Sequence, residues 1–232
     1  MRTKVTIGVC VRNCEGNIKQ IVDRIFIQDF PHENMEVIFV DDGSEDDTMF
    51  LILKYAPKIN IKYTVYHHEW QGLGFSRNVV SKNAQGDYIV WIDDGTIVTN
   101  DYIKKLVNLM DETPEIGIAR GVIGLYSGSN PVATLENMNE LVFSHKYAEK
   151  TTTKLPGTSG SIYRVKATRQ VGGFDENIQG ACEDVDTAYR ILSSGWRIYI
   201  TGVEFFIDYN ERLKDVWDKS FWYGYGLHFF FA

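Results

Sequence analysis

Residues 35–55, MEVIFVDDGSEDDTMFLILKY, decide the fold. Positions 35–40 form a nearly unbroken apolar run, the pattern of a strand buried on both faces of a parallel sheet. Asp41, Asp42, Gly43 and Ser44 then make a turn, and residues 46–55 read as a helix with Pro57 beyond its end. Ser44 and Asp46 are both placed to cap that helix.

The same unit recurs on either side. Strands are predicted over residues 4–11, 61–66 and 88–92, and helices over 15–28 and 75–83. In the first of these helices Ile18, Ile21, Val22 and Ile25 fall at helical spacing. Repeated strand–helix units imply a mostly parallel, doubly wound sheet flanked by helices, an α/β class of fold. Ligands of such sheets bind outside the carboxyl ends of the strands, which selects residues 12–14, 41–44 and 93–96.

The later sequence is less regular. It predicts a helix over 101–110, a strand region over 116–125, a Gly/Ser loop over 126–131 and a polar, mobile segment over 151–160. No repeat or linker divides the chain, which predicts a single mixed domain.

Composition sets limits. Hydrophobic residues make up 44% of the 232 positions and charged residues 24%, ordinary for a soluble globular protein. A net charge of -7 argues against nucleic acid as a partner. Three cysteines, Cys10, Cys14 and Cys182, suit neither a disulfide framework nor a metal site of CxxC type, and point to reduced thiols in the cytoplasm. The start alternates like a strand rather than a signal peptide, and no run reaches the roughly 18 apolar residues of a membrane span. The aromatic end, SFWYGYGLHFFFA, implies either a segment docked on the body or continuation into a longer, membrane-proximal one.

Four constellations carry candidate chemistry. Asp41 and Asp42 at a strand tip can accept hydrogen bonds from a ribose or a base, although a capped turn alone would account for DDGS. Asp93 and Asp94 end the strand YIVWI, and carboxylates from two strand ends suit a divalent cation and a diphosphate. Arg77, near a helix start in GLGFSRN, offers a cation to a phosphate or a partner to the nearby acids. Glu183 and Asp184 open a helix, where they complement its dipole or supply a general base. His67, His68, His145 and His228 draw no specific role, and Trp70 and Trp91 read first as packing residues.

VIFVDDGSEDDT, GLGFSRN, GDYIVWIDDG, TSGSIYRVKATRQVGGFDE and CEDVDTAYRILSSGWRI, in this order and spacing, resemble family 2 glycosyltransferases. These are inverting enzymes of the glycosyltransferase-A fold, and the resemblance runs from Val5 to Tyr199. It implies a nucleotide-binding half over 1–98, an acceptor and catalytic half over 99–210, and an aromatic C-terminal segment over 211–232. A UDP- or GDP-sugar donor, a divalent Mn2+ or Mg2+ and a hydroxyl acceptor follow from it. The acceptor would belong to polysaccharide, glycolipid or glycoprotein glycan synthesis, with a lipid-linked acceptor and a place at the cytoplasmic face of a membrane left open.

Residue by residue, the resemblance puts Val11 and Asn13 in the nucleotide pocket, where the family often has Pro-x-Tyr-Asn and this chain has Cys10 and Arg12 for the Pro and the Tyr. Asp42 would meet the base, Asp41 the ribose side with Ser44 beside it, and Arg77 the diphosphate or donor sugar. Asp184 would be the base and Glu183 its neighbour. The family's Asp-x-Asp falls on Asp93, Asp94 and Gly95, so its last acid, usually the metal ligand, is glycine here. A family histidine that helps bind the metal falls near Asp208, which implies Asp94 and Asp208 as metal ligands with Asp93 in support. Two other readings stand beside this one: a nucleotide-sugar-binding protein without transferase activity, favoured by Gly95, and a nucleotidyltransferase. The latter needs a Gly-rich basic loop that RNCEGN does not supply.

Overall fold

The structure is a computed structural model that describes residues 2–126, 130–178, 180–208 and 212–231. Its strands and helices follow the chain as β1 (Val5–Val11), α1 (Ile18–Phe26), β2 (Met35–Asp42), α2 (Thr48–Tyr55), β3 (Lys62–His68), α3 (Leu73–Asn83), β4 (Tyr88–Trp91) and β5 (Thr96–Val98). The remainder is α4 (Tyr102–Glu112), β6 (Ile116–Ile123), α5 (Pro131–His145), β7 (Lys150–Thr152), β8 (Ser161–Arg164), α6 (Val165–Gln170), α7 (Glu183–Ser193), β9 (Arg197–Ile207) and α8 (Leu213–Phe231).

One sheet runs through all of it, in the order β3-β2-β1-β4-β8-β6-β9-β5, with β7 paired to β9. The first four strands in that order are parallel, as the alternating units predict. β8 then enters antiparallel to both β4 and β6, so the later strands depart from simple strand–helix repetition.

Every residue of β1 and β2 is buried. Alternate side chains serve two cores: Val5, Ile7 and Val9 pack with Ile18, Ile21 and Ile25 of α1, while Ile38 and Val40 pack with Val80 of α3 and Trp91. Glu36 breaks the apolar run of β2 without cost to the fold because it accepts hydrogen bonds from the Thr6 hydroxyl and the Gln85 amide, each at 2.7 Å.

The later chain departs from expectation in three places. Of the loop read at 126–131, residues 127–129 lie outside the described residues, and Asn130 and Pro131 start α5 instead. The Asn130 side chain accepts from the Val132 and Ala133 amides, with Pro131 at the first helical position. The polar segment 151–160 is not free: Thr151 and Thr152 lie in β7 against β9. The aromatic end is a helix, α8, whose exposed residues include Trp217 and Phe221; position 232 lies outside the described residues. Among the described residues no helix is long and apolar enough to cross a membrane.

Helix α8 lies across residues 180–182, the loop that leads into α7. The contact is close enough to require Gly226, since a Cβ there would overlap the Ala181 carbonyl oxygen. Gly226→Val must therefore lift the helix, at an overpacking cost of about 1–3 kcal/mol. Amide exchange in α8 and at residues 180–182 is expected to accelerate roughly five- to hundredfold, with β1 and β2 unchanged; mass-spectrometric exchange measures both.

Candidate functional site

The carboxyl ends of β1, β2 and β4 open onto a cleft of about 1440 Å3, closed opposite by the 155–159 loop, the start of α7, α5 and α8. Residues from each predicted strand tip reach it, including Val11, Asp42, Asp93 and Asp94.

At the β2 tip the DDGS turn is fixed by its own side chains. Asp41 is fully buried. One of its oxygens accepts from the Ser44 hydroxyl and from the Ser44 amide at 3.3 Å, and the other lies 2.8 Å from His67 Nδ1. Asn13, at φ 50°, donates its amide to Ser44 Oγ at 2.9 Å and accepts from the Glu45 amide at 2.8 Å. Asn13, Asp41 and Ser44 thus bind one another and shape the loop. Asp42 faces the cleft and accepts from the Gln71 and Gly72 amides at 2.8 and 3.0 Å, with His68 Nδ1 3.3 Å away. Neither Ser44 nor Asp46 is the N-cap of α2, which is Asp47; Asp46 instead accepts from the Thr48 amide at 3.0 Å.

Deeper in the cleft one cation gathers three acids. Arg77 is buried on α3, and its guanidinium lies 3.5 Å from Asp93, 4.0 Å from Asp184 and in an ion pair with Glu183. Its flat face also lies over Trp91 and Phe174, at 6.0 and 5.8 Å from the ring centroids. Burial by itself would lower the Arg77 pKa, but the charges of Asp93 and Asp184 outweigh it and hold the group protonated above its ordinary value. The sequence left Arg77 open between a phosphate ligand and a partner for strand-tip acids. The geometry displays the second, with 5% of the side chain exposed.

Thr158 joins the two ends of the site. Its hydroxyl donates to Asp93 at 2.8 Å and its amide to Asp184 at 3.1 Å, so one residue connects the β4 tip to the start of α7. Nothing in the periodicity around residue 158 marks it; its place within TSGSIYR is the signal that could have found it. Cys182, just before Glu183, takes the left-handed conformation at φ 85°, unusual for a residue with a side chain. Tyr223 of α8 also lines the cleft. About half of the residue is exposed, yet burial of its phenol and then the negative charge of Asp184 push its pKa up to about 12. Burial likewise raises the thiols Cys10, Cys14 and Cys182, all free and buried.

The Asp93–Asp94–Gly95 turn answers what the glycine is for. Gly95 has φ 73°, which favours glycine, and its carbonyl accepts from the Asp208 amide at 2.9 Å where β5 meets β9. Asp94 is exposed, accepts from the Asn17 side chain at 2.7 Å, and lines the cleft together with Asp208. Among the described residues no three His, Cys, Asp or Glu side chains form a preassembled metal cage. Two carboxylates do fit a smaller role, because Mg2+-type ions are held by one or two carboxylates together with water and substrate phosphates.

Removing Arg77 would leave Asp93, Glu183 and Asp184 without their shared counter-charge. Arg77→Met is expected to cost about 3–5 kcal/mol in urea unfolding, and the Arg77→Met, Glu183→Met double variant less than the single one.

Comparison with known proteins bears on the family and the fold. The family model described as "Glycosyl transferase family 2" matches residues 6–172. Poly(ribitol-phosphate) beta-N-acetylglucosaminyltransferase TarS of Staphylococcus aureus is 31% identical over 109 residues, 47% of this chain and 19% of that protein. Pre-mycofactocin glycosyltransferase of Mycobacterium tuberculosis is 24% identical over 232 aligned positions, 95% of this chain and 46% of that protein. The chain thus spans less than half the length of these relatives. Among solved structures, the mannosyltransferase PcManGT of Pyrobaculum calidifontis, in complex with GDP-Man and Mn2+, superposes with a TM-score of 0.76 at 22% identity, covering 94% of this chain and 60% of that one. S. aureus TarS 1–349 in complex with UDP-GlcNAc gives 0.70 at 21% identity, covering 90% and 60%. At these identities the likeness is one of fold.

Proposed function

The chain belongs to glycosyl transferase family 2, and we propose that it transfers a sugar from a UDP- or GDP-sugar to a hydroxyl acceptor with inversion at the anomeric carbon. The observation that carries this reading is Thr158, which ties Asp184 to the strand-tip Asp93 across one cleft. A base and a donor-side acid held in fixed relation are what a single displacement needs. Solved proteins of this fold bind GDP-Man with Mn2+ and UDP-GlcNAc, which supports the donor class.

In this reading Asp184 takes the proton from the acceptor hydroxyl. The acceptor oxygen attacks the anomeric carbon from the face opposite the diphosphate, and the bond from that carbon to the phosphate oxygen breaks, with the electron pair leaving on the nucleoside diphosphate. Asp42 faces the base, while Asp41, Asn13 and Ser44 hold the loop on which Val11 and Asp42 present themselves. Glu183 and Arg77 form a buried pair beside Asp184 that fixes its surroundings, a positioning role. Asp94 and Asp208 would hold a divalent cation with the donor's phosphates, and when bound it would supply charge neutralisation for the departing diphosphate. The acceptor is a hydroxyl of a polysaccharide or of a lipid-linked glycan. The poly(ribitol-phosphate) transferases among the relatives support the first, and the exposed Trp222 and Tyr223 of α8 at the cleft support the second, which would put the protein at the cytoplasmic face of a membrane. Gly95 favours a second reading, in which the protein binds the donor without transferring the sugar.

Transfer from a UDP- or GDP-sugar by the parent protein with metal, compared with binding alone, separates the two, and Asp184→Asn tests the base. Transfer is expected to fall by about 10²- to 10⁴-fold with nucleotide affinity nearly unchanged; calorimetry and a sugar-transfer assay read each part, and a variant that still transfers substantially removes Asp184 from the role. For the cation, Mn2+ titrated calorimetrically in the presence of UDP or GDP is expected to bind the parent protein and to bind Asp94→Ala and Asp208→Ala much more weakly. No heat with the parent protein would rule the site out.

A further inference from the structure

The wall of the cleft around the 155–159 loop carries positive charge to which the proposed reaction gives no task. Every residue of β6 is buried except Arg120, which is half-buried and lines the cleft. Its guanidinium is held from behind: Nε donates to the Ser159 carbonyl at 2.9 Å, and the guanidinium carbon lies 5.2 Å from the centroid of the Phe205 ring. Among the described residues the two terminal nitrogens have no hydrogen-bond partner, and no acid pairs with the group. An arginine fixed by its inner nitrogen and one face, with the outer fork unengaged, is prepared for an anion.

Lys154 lines the same wall. Its amine lies 5.1 Å from the centroid of the Tyr147 ring, which also gathers those of Lys146 and Lys150 at 5.8 and 5.5 Å. Burial lowers the Lys154 pKa; the charge of Glu140 works against that, and those of Arg120 and Lys146 add to it. Glu136, beside Glu140 on α5, is paired with Lys219 at 2.9 Å. The cations thus repel one another, and an anion seated among them relieves that repulsion. Phosphate suits the place better than carboxylate, because its tetrahedral oxygens can meet a guanidinium fork and an amine from different sides at once.

The cluster is tied to the proposed base. The Thr158 amide holds Asp184 and the carbonyl of the next residue holds Arg120, so the two hang from Cα atoms about 3.8 Å apart. We propose that Arg120 and Lys154 form a phosphate site for the acceptor, so that the hydroxyl brought to Asp184 belongs to a phosphate-bearing molecule. This rests on the transfer reading above and names the chemical class of its acceptor. The assignment predicts that the two residues act on the acceptor and leave the nucleotide alone.

The test is calorimetric titration of the parent protein and of Arg120→Gln, Arg120→Lys and Lys154→Gln, first with UDP and GDP in the presence of Mn2+. With the nucleotide saturating, the same proteins are titrated with a short poly(glycerol phosphate), with uncharged polyglycerol of equal length and with an oligogalacturonate. Sedimentation with phosphatidylcholine vesicles, with and without polyprenyl phosphate, reads a lipid source of the same group. A hydrogen bond to a charged partner accounts for roughly ten- to hundredfold in affinity. The parent is expected to bind the phosphate polymer or the polyprenyl phosphate vesicles, which tells a soluble source from a lipid one, and each glutamine variant to bind that probe about tenfold or more weakly with nucleotide affinity unchanged. Arg120→Lys is expected to lose much of it too, because an ammonium keeps the charge without the fork. A parent that binds neither phosphate probe, or binds polyglycerol or oligogalacturonate as tightly, overturns the phosphate site and leaves the transfer reading standing. Variants that bind like the parent, or that lose the nucleotide equally, do the same. A parent that binds neither UDP nor GDP overturns the donor reading, and the acceptor site with it. Lys154→Gln, outside β6, keeps the test decisive if the Arg120 variants do not fold.

Discussion

A single buried guanidinium organises this protein's cleft. Three carboxylates, from the β4 tip and the start of α7, converge within reach of Arg77, and they could not share so little water without a cation among them. Arg77 meets that need from a third element, α3, with its face covered by Trp91 and Phe174. The strand end, the helix start and the middle helix are thereby held to one electrostatic solution. Moving any one of them would strand a charge in a place where it cannot be hydrated.

Thr158 adds the directional part of the same arrangement. A cation attracts acids without fixing which oxygen points where, whereas the hydroxyl and amide of Thr158 each engage one named oxygen. The orientation of Asp184 is accordingly set by short-range bonds, and its proximity to the other acids by charge. The other Asp184 oxygen accepts from the Val185 amide at 2.8 Å, so both oxygens of the proposed base are held while its side chain still lines the cleft.

Much of the first half of the fold was legible because β1, β2 and β4 are buried on both faces and its helices on one. Those two patterns are visible in the order of apolar residues, and the strand tips follow from them by topology. The later elements were harder to read for physical reasons. β7 is a three-residue polar strand at an exposed position, with no apolar alternation to reveal it. α5 carries Leu135, Met138 and Val142 on an exposed face, which blurs its amphipathic stripe. At the site, residue identity pointed to acids at strand tips, but it could not say which of them are turned inward. Asp41 and Asn13 close a turn while Asp42 faces the cleft, a distinction made by hydrogen bonds between residues some thirty positions apart in sequence. Thr158 and Arg120 were hidden for the same reason: their importance lies in partners that are distant along the chain. Trp70 reads as a packing residue by its type but is 58% exposed and lines the cleft.

The contact between Gly226 and Ala181 has a consequence in time. The sheet strands that bear Asp42 and Asp93 lie within the first hundred residues and can pair as soon as they are made. The loop before Asp184 acquires its cover only when α8 arrives, more than forty residues later, and contacts of that sequence separation form late. On a growing chain the strand-tip side of the cleft, the proposed donor side, therefore takes shape well before the wall beside the proposed base. A chain released from the ribosome short of Gly226 would have its strand-tip acids in place but the loop before Asp184 uncovered.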